Sequence, residues 1–255
     1  MAEWLFLLLT ITGACAAVVT VTLLRQRRVG EDDDPSETPD VIEYMTMMIG
    51  VVYAIVLGLA IAGVWEGRSA AEEWVRQEAQ ALHEVHERAQ AYPAAVRDEV
   101  RGDVDAYVRH AVTVEWPHMA EHGELTERGE RLFEDLRRNV TAYEPRTARE
   151  AQTYQSLVDQ VALADEARTA RGRGAEPTLP GVVWFGLVAG AVIAVGMVFA
   201  LQIQRSGREL VLAGLFTALI AFLLFLVWYF DSPFTRGLAD PAEAFTVLFP
   251  RAAGD

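Results

Sequence analysis

The stretch from residue 44 to residue 65, YMTMMIGVVYAIVLGLAIAGVW, decides the fold of this chain. It contains no Asp, Glu, Arg or Lys, and about 20 apolar residues in a helix suffice to cross the hydrocarbon core of a bilayer. Three other stretches have the same character, at residues 4–24, 182–203 and 210–230. The sequence therefore predicts four transmembrane helices.

A charged segment separates the second apolar stretch from the third. Residues 66–180 are rich in Ala, Glu and Arg, and their apolar residues recur at helical spacing without any strand pattern. The predicted fold is all-α, with a water-soluble helical bundle inserted between the second and third spans. The predicted domains are a first helix pair with a short cytoplasmic loop (1–65), the soluble domain (66–180), a second helix pair (181–231) and a C-terminal tail (232–255).

Local signals predict where helices in this segment begin and end. The second span should end near Trp65, because Gly67 loosens a helix and Ser69-Ala-Ala-Glu72 fits a capping box for a new one. A later helix should stop at Glu115-Trp116-Pro117, and Thr147-Ala-Arg-Glu150 should open the last helix of the domain.

The arginines predict the orientation in the membrane. Arg25, Arg27, Arg28, Arg205 and Arg208 all lie in the two short loops between spans. Positively charged loops stay in the cytoplasm, so both termini and the 66–180 domain are predicted to be extracytoplasmic. The use of Arg to the exclusion of Lys is typical of a GC-rich bacterial genome, which indicates a multi-pass protein of the bacterial inner membrane.

Several kinds of chemistry find little support in the sequence. The net charge of −14 argues against nucleic acid as a partner, because phosphate binding needs a basic surface. His118-Met-Ala-Glu121-His122 matches the spelling of inverted zinc peptidases, but no third ligand stands out, so His118, Glu121 and His122 are weak metal candidates. We predict no catalytic residues, no enzyme activity and no cofactor.

Small residues form stripes along the spans. Those of the second and third spans are Ala54, Gly58 and Ala62, and Gly186, Gly190 and Ala194. In lipid, helices associate by close backbone approach over such stripes. They could pack helices within one subunit, or they could face neighbouring subunits around an axis.

The spans lack the buried charges that proton-coupled transporters need. A pore with an apolar constriction is compatible with them, because such a pore can gate by dewetting. Gly50, Tyr53, Leu57 and Ile61 follow one face of the second span and are our candidates for the pore lining. Asp231 could cap a following turn or form an acidic ring at a pore mouth.

The sequence resembles the bestrophin-like bacterial membrane proteins, a family whose domain has no established function. The segments that carry the resemblance are Leu23–Arg28, Val56–Leu59, Gln77-Glu78-Ala79, Tyr107 with Glu115-Trp116-Pro117, Leu179-Pro180 with Trp184, and Asp231-Ser232-Pro233-Phe234. The resemblance implies kinship with bestrophins, which are pentameric anion channels whose second span lines an apolar neck. It marks Asp231, Pro233 and Phe234 as the most specific motif, although Phe230 stands where members usually have Leu.

Two functions follow as hypotheses. The first is a homo-oligomeric ion channel or channel-like pore, pentameric by the resemblance, whose partners are the bilayer and inorganic ions. The alternative is a non-conducting membrane scaffold or envelope sensor whose helical outer domain binds a partner.

Overall fold

The computed structural model describes Gly13 and residues 40–200, 207–237 and 242–250, and all regular secondary structure in these ranges is helical. The eight α-helices that we number are α1 (Asp40–Arg88), α2 (Ala94–His110), α3 (Trp116–His122), α4 (Glu127–Ala142), α5 (Ala148–Arg173), α6 (Gly181–Ala200), α7 (Gly207–Phe230) and α8 (Glu243–Leu248). A 3₁₀ turn covers Ala89–Ala91, and π-helical segments cover Ala111–Glu115 and Pro233–Gly237.

The described residues form two compact units. The apolar unit contains the chain up to Val64 together with 179–229, and the helical unit contains 65–178 together with the chain from Phe230 onward. The segment after α7 therefore belongs to the helical unit by its contacts.

Three helices are long and apolar enough to cross a membrane. They are α1, α6 and α7. Helices α1 and α7 contain the predicted second and fourth spans, and α6 covers residues 182–200 of the predicted third span. The predicted first span, residues 4–24, lies outside the described residues apart from Gly13.

One face of α1 packs inside the apolar unit. Tyr53, Leu57, Ala60 and Val64 are buried, and the Tyr53 hydroxyl donates a 3.1 Å hydrogen bond to the Leu187 carbonyl of α6. The Tyr53 ring approaches α6 so closely that a Cβ at Gly190 would lie 2.6 Å from it. Glycine at 190 therefore permits the pairing of α1 with α6.

The helical unit is built around a core of aliphatic and aromatic side chains from α1 to α5 and from the segment after α7. Its largest apolar members include Leu82, Tyr107, Phe133, Leu136 and Leu157. The helix ends follow capping rules: Thr126 and Thr147 each accept a hydrogen bond from the backbone N–H three residues later, and Gly123 ends α3 at a φ of 74°. The capping function predicted for Thr147 is confirmed.

The predicted break between Trp65 and Ser69 is wrong, because α1 is one helix of 49 residues. Gly67 costs a helix only about 1 kcal/mol. Arg68 Nε lies 3.0 Å from Glu72 Oε1 in an i,i+4 pair that supports this turn, so Glu72 does not serve in a capping box.

The predicted helix stop at Glu115-Trp116-Pro117 is also wrong. The chain passes from α2 through the π-helical segment into α3, and Pro117 occupies the first turn of α3. Proline lacks the N–H that a regular α-helix would use and clashes with the carbonyl four residues back. The wider π turn before it accommodates this without ending the helix.

Candidate functional site

A charged cluster lies in the interior of the helical unit, centred on Arg171 of α5. The Arg171 side chain has 0% exposure, as does that of Glu78 on α1. Arg171 Nε lies 2.7 Å from Glu78 Oε2 and Nη2 lies 3.1 Å from Glu78 Oε1, so the pair is bidentate. The Tyr107 hydroxyl donates to the same carboxylate at 2.5 Å.

A second carboxylate, that of Glu115, completes the cluster. Its Oε1 accepts from Arg171 Nη2 at 2.8 Å, and its Oε2 accepts from Arg168 Nη2 at 3.0 Å. The backbone N–H and the hydroxyl of Thr126 also donate to Oε2, at 3.2 Å and 2.9 Å. Arg168 reaches out of the cluster to the half-exposed Glu130 at 2.6 Å.

The charges of the buried residues balance, because Arg168 and Arg171 face Glu78 and Glu115. Burial by itself favours the neutral acid, but Arg171 and Arg168 together hold the pKa of Glu115 below its ordinary value. Burial, reinforced by Glu78, raises the pKa of Tyr107 well above its ordinary value, so this phenol stays a hydrogen-bond donor. Arg171 and Arg168 therefore favour the ionised form of Glu115, and Tyr107 keeps its proton for the hydrogen bond to Glu78.

Trp116 joins this cluster to the segment that follows α7. The Arg171 guanidinium lies 5.1 Å from the Trp116 ring centroid, in cation–π range. The Trp116 indole also contacts Phe234 and Phe245 edge to face, with ring centroids 5.9 Å and 6.1 Å apart. The C-terminal segment is thus held on the core of the helical unit by aromatic packing.

The Asp231–Phe234 segment is buried in the same unit. Asp231, Ser232 and Phe234 are each less than a tenth exposed, and Pro233 is buried as well. The Thr178 N–H donates to the Asp231 carbonyl at 2.9 Å, which ties the end of α7 to the residues just before α6. The motif therefore joins the chain just before α6 to the chain just after α7. The acidic ring that Asp231 could form at a pore mouth stays a prediction.

The pore-lining candidates divide between two environments. Tyr53 and Leu57 are buried within the apolar unit, whereas Gly50 and Ile61 are partly exposed. All four lie along one side of α1, and their role in lining a pore stays a prediction.

The small-residue stripes divide in the same way. Ala54, Gly58 and Ala62 are exposed, and no described atom outside the helix lies within 4 Å of a Cβ placed at Gly58. On α6, Gly190 and Ala194 pack inside the unit, whereas Gly186 is exposed. Two members of the α6 stripe thus serve contacts within the chain, whereas the α1 stripe is exposed among the described residues.

The weak metal candidates stay near the surface. The rings of His118 and His122 stack at 4.3 Å, and Glu121 is exposed. In the part of the chain that the structure describes, no three His, Cys, Asp or Glu side chains are grouped so that they could hold a metal ion.

Sequence reasoning missed the charged cluster, although a signal for it exists. On α5 the buried positions Leu157, Val161 and Ala164 continue at helical spacing into Arg168 and Arg171. Glu78 likewise continues the buried face of Ala71 and Val75 on α1. A charged residue in register with an apolar stripe indicates a buried ion pair, because an unpaired charge could not be buried there.

Three of the segments that carry the resemblance contribute to this cluster or to its aromatic border, through Glu78, through Tyr107 with Glu115-Trp116, and through Phe234 on Trp116. No curated protein and no solved structure matches the chain. The family model of the bestrophin-like domain matches residues 12–239, so the chain belongs to the bestrophin-like family and is a helical membrane protein of that kind.

Proposed function

We propose that the chain is a subunit of a homo-oligomeric ion channel or channel-like pore in the bacterial inner membrane. The exposed, charge-free faces of its apolar helices carry this proposal. Within the described residues only 22%, 17% and 22% of the apolar windows of α1, α6 and α7 are buried. Lipid can cover part of this surface, and neighbouring subunits around a central path would cover more.

The chemistry of the spans supports a passive pore over a proton-coupled transporter. Residues 44–65 and 211–230 contain no Asp, Glu, Arg or Lys. Transporters that move protons place ionisable groups at membrane depth. An apolar neck needs none, because it can open and close through wetting and dewetting.

Reconstitution of the purified protein tests the proposal. Proteoliposomes should discharge an imposed gradient of at least one small inorganic ion faster than empty liposomes prepared in parallel. If the proteoliposomes pass no halide, monovalent cation or divalent cation over a range of pH, Ca²⁺ concentration and membrane tension, the channel proposal is overturned.

A cysteine scan then asks which face of α1 lines the path. In a Cys15→Ser background, Gly50→Cys and Ile61→Cys should let a charged thiol reagent reduce the flux. Leu59→Cys is the matched control, since Leu59 is 69% exposed and lies about 160° from Ile61 around the helix. If the reagent blocks flux at position 59 and not at position 61, the opposite face of α1 lines the path.

The size and internal order of the helical unit favour a second candidate, a non-conducting scaffold or envelope sensor. Its core is fixed by a buried ionic network within a unit of its own, which a conduction path alone does not require. Silent proteoliposomes, together with reproducible cross-links in cells from the surface of this unit to one other protein, would favour this candidate.

A further inference from the structure

Arg68 lies where two apolar helices end. On α1 the apolar stretch ends at Trp65, and α7 ends at Phe230. The Trp65 and Phe230 rings meet edge to face at 5.3 Å, so these two ends lie at one level. Tryptophan and other aromatic residues at the ends of spans mark the headgroup region of a bilayer.

The Arg68 guanidinium lies within cation–π distance of both rings. Its Cζ lies 5.7 Å from the Trp65 centroid and 5.1 Å from the Phe230 centroid, so the two rings hold the cation between them. Only its Nε donates to a described residue, to Glu72 Oε1 at 3.0 Å. Both terminal nitrogens are therefore left without a partner among the described residues, while the side chain keeps 24% exposure.

The local charge leaves room for an anion. Glu72 is itself 37% exposed and occupies one edge of the guanidinium, so it only partly neutralises Arg68. Glu66, the nearest acid on the other side in sequence, lies about 160° around the helix from Arg68. The edge that carries the two terminal nitrogens is the one that matches a phosphate in a bidentate fork.

We propose that Arg68, held by Trp65 and Phe230, binds the phosphate of an anionic phospholipid headgroup. A free phosphate ion offers the same oxygens, but the site lies at the level where α1 and α7 reach the membrane surface. The lipid is therefore the ligand to which this geometry is suited. This site does not depend on whether the protein conducts ions.

Native mass spectrometry of the full-length protein in detergent tests this site. Phosphatidylglycerol should bind more tightly than phosphatidylcholine at equal concentration, and inorganic phosphate alone should neither compete nor raise the melting temperature. Arg68→Gln should weaken phosphatidylglycerol binding about tenfold, because a charge-assisted bidentate contact is lost. Arg68→Lys should bind with intermediate affinity, because it keeps the charge but loses the fork.

Two further variants keep the test decisive. Arg76→Gln is the matched control, since Arg76 is an exposed arginine two turns further along α1 and pairs with Glu73; its lipid binding should not change. Glu72→Gln should bind phosphatidylglycerol more tightly, and it provides a test even if Arg68→Gln fails to fold. The proposal is overturned if Arg68→Gln binds like the wild type, if Arg76→Gln loses as much, if Glu72→Gln does not gain, or if inorganic phosphate competes equally.

Discussion

At the scale of single residues, Arg171 is the side chain on which the helical unit depends most. Its guanidinium touches two buried carboxylates, one phenol and one indole ring. A buried ion pair adds little net stability compared with an apolar replacement, but removal of one partner leaves an uncompensated charge. The cluster therefore makes the fold sensitive to single changes.

Arg171→Ala should destabilise the protein by about 3–5 kcal/mol, because Glu78 and Glu115 would stay buried with less positive charge beside them. A thermal melt of the detergent-solubilised protein measures the loss. Arg173→Ala is the control, since Arg173 lies in the same last turn of α5 but is exposed. Equal melting temperatures for the two variants would show that the cluster is not a structural centre.

Gly129 matters for a different reason, since it makes room for the cluster. A Cβ at this position would lie 2.0 Å from Glu115 Oε2, an oxygen already held by Arg168 and Thr126. We expect Gly129→Ala to cost about 1–3 kcal/mol through this overpacking. Gly102→Ala, also in a helix, meets nothing within 4 Å and should be neutral or stabilising by about 0.5–1 kcal/mol. The melting temperature should fall for Gly129→Ala and stay unchanged or rise for Gly102→Ala, and an equal fall in both would refute the steric account.

At the scale of elements, α1 carries two faces with different partners. Tyr53 and Leu57 pack inside the apolar unit, whereas the stripe of Ala54, Gly58 and Ala62 is exposed among the described residues. If the proposed oligomer forms over this stripe, Gly58→Leu should lower the mass of the detergent-solubilised particle, because close helix approach would be blocked.

The Gly58 prediction has a matched control on the other helix. Gly190→Ala should instead strain the contact with the Tyr53 ring inside one subunit and lower the melting temperature, with the subunit number kept. Mass photometry separates the two effects. An unchanged particle mass for Gly58→Leu would place the subunit interface elsewhere.

Some features of these helices can be predicted from the sequence, and others cannot. Long uncharged stretches predict α1, α6 and α7 directly, because composition alone decides whether a helix suits a bilayer. The Thr147 cap was predictable since it depends on a neighbour three residues away. The continuity of α1 past Gly67 and the π turn before Pro117 were not predictable, because packing in the folded unit decides them. The pairing of Glu78 with Arg171, 93 residues apart, also needs the tertiary fold.

At the scale of the whole molecule, the contacts of the helical unit constrain the topology. Thr178, just before α6, is bonded to Asp231, just after α7, and Phe245 of α8 packs on Trp116. The two ends of the chain between residues 178 and 231 therefore meet within the helical unit. If α6 and α7 each cross the bilayer, we expect this part of the chain to start and finish on one side of the membrane, with the C-terminal segment on the same side as residues 65–178.

Impermeant thiol labelling tests this topology and the predicted orientation together. In a Cys15→Ser background, Leu163→Cys and Val247→Cys replace side chains that are 50% and 70% exposed on the helical unit. Both should react with a membrane-impermeant maleimide added to intact cells whose outer membrane is permeabilised, because the arginine-rich loops are expected to hold the other side in the cytoplasm. Ser206→Cys, between Arg205 and Arg208, should react only after lysis. If only Ser206→Cys is labelled in intact cells, the predicted orientation is wrong. If only one of positions 163 and 247 is labelled in intact cells, α8 does not pack on the helical unit as described.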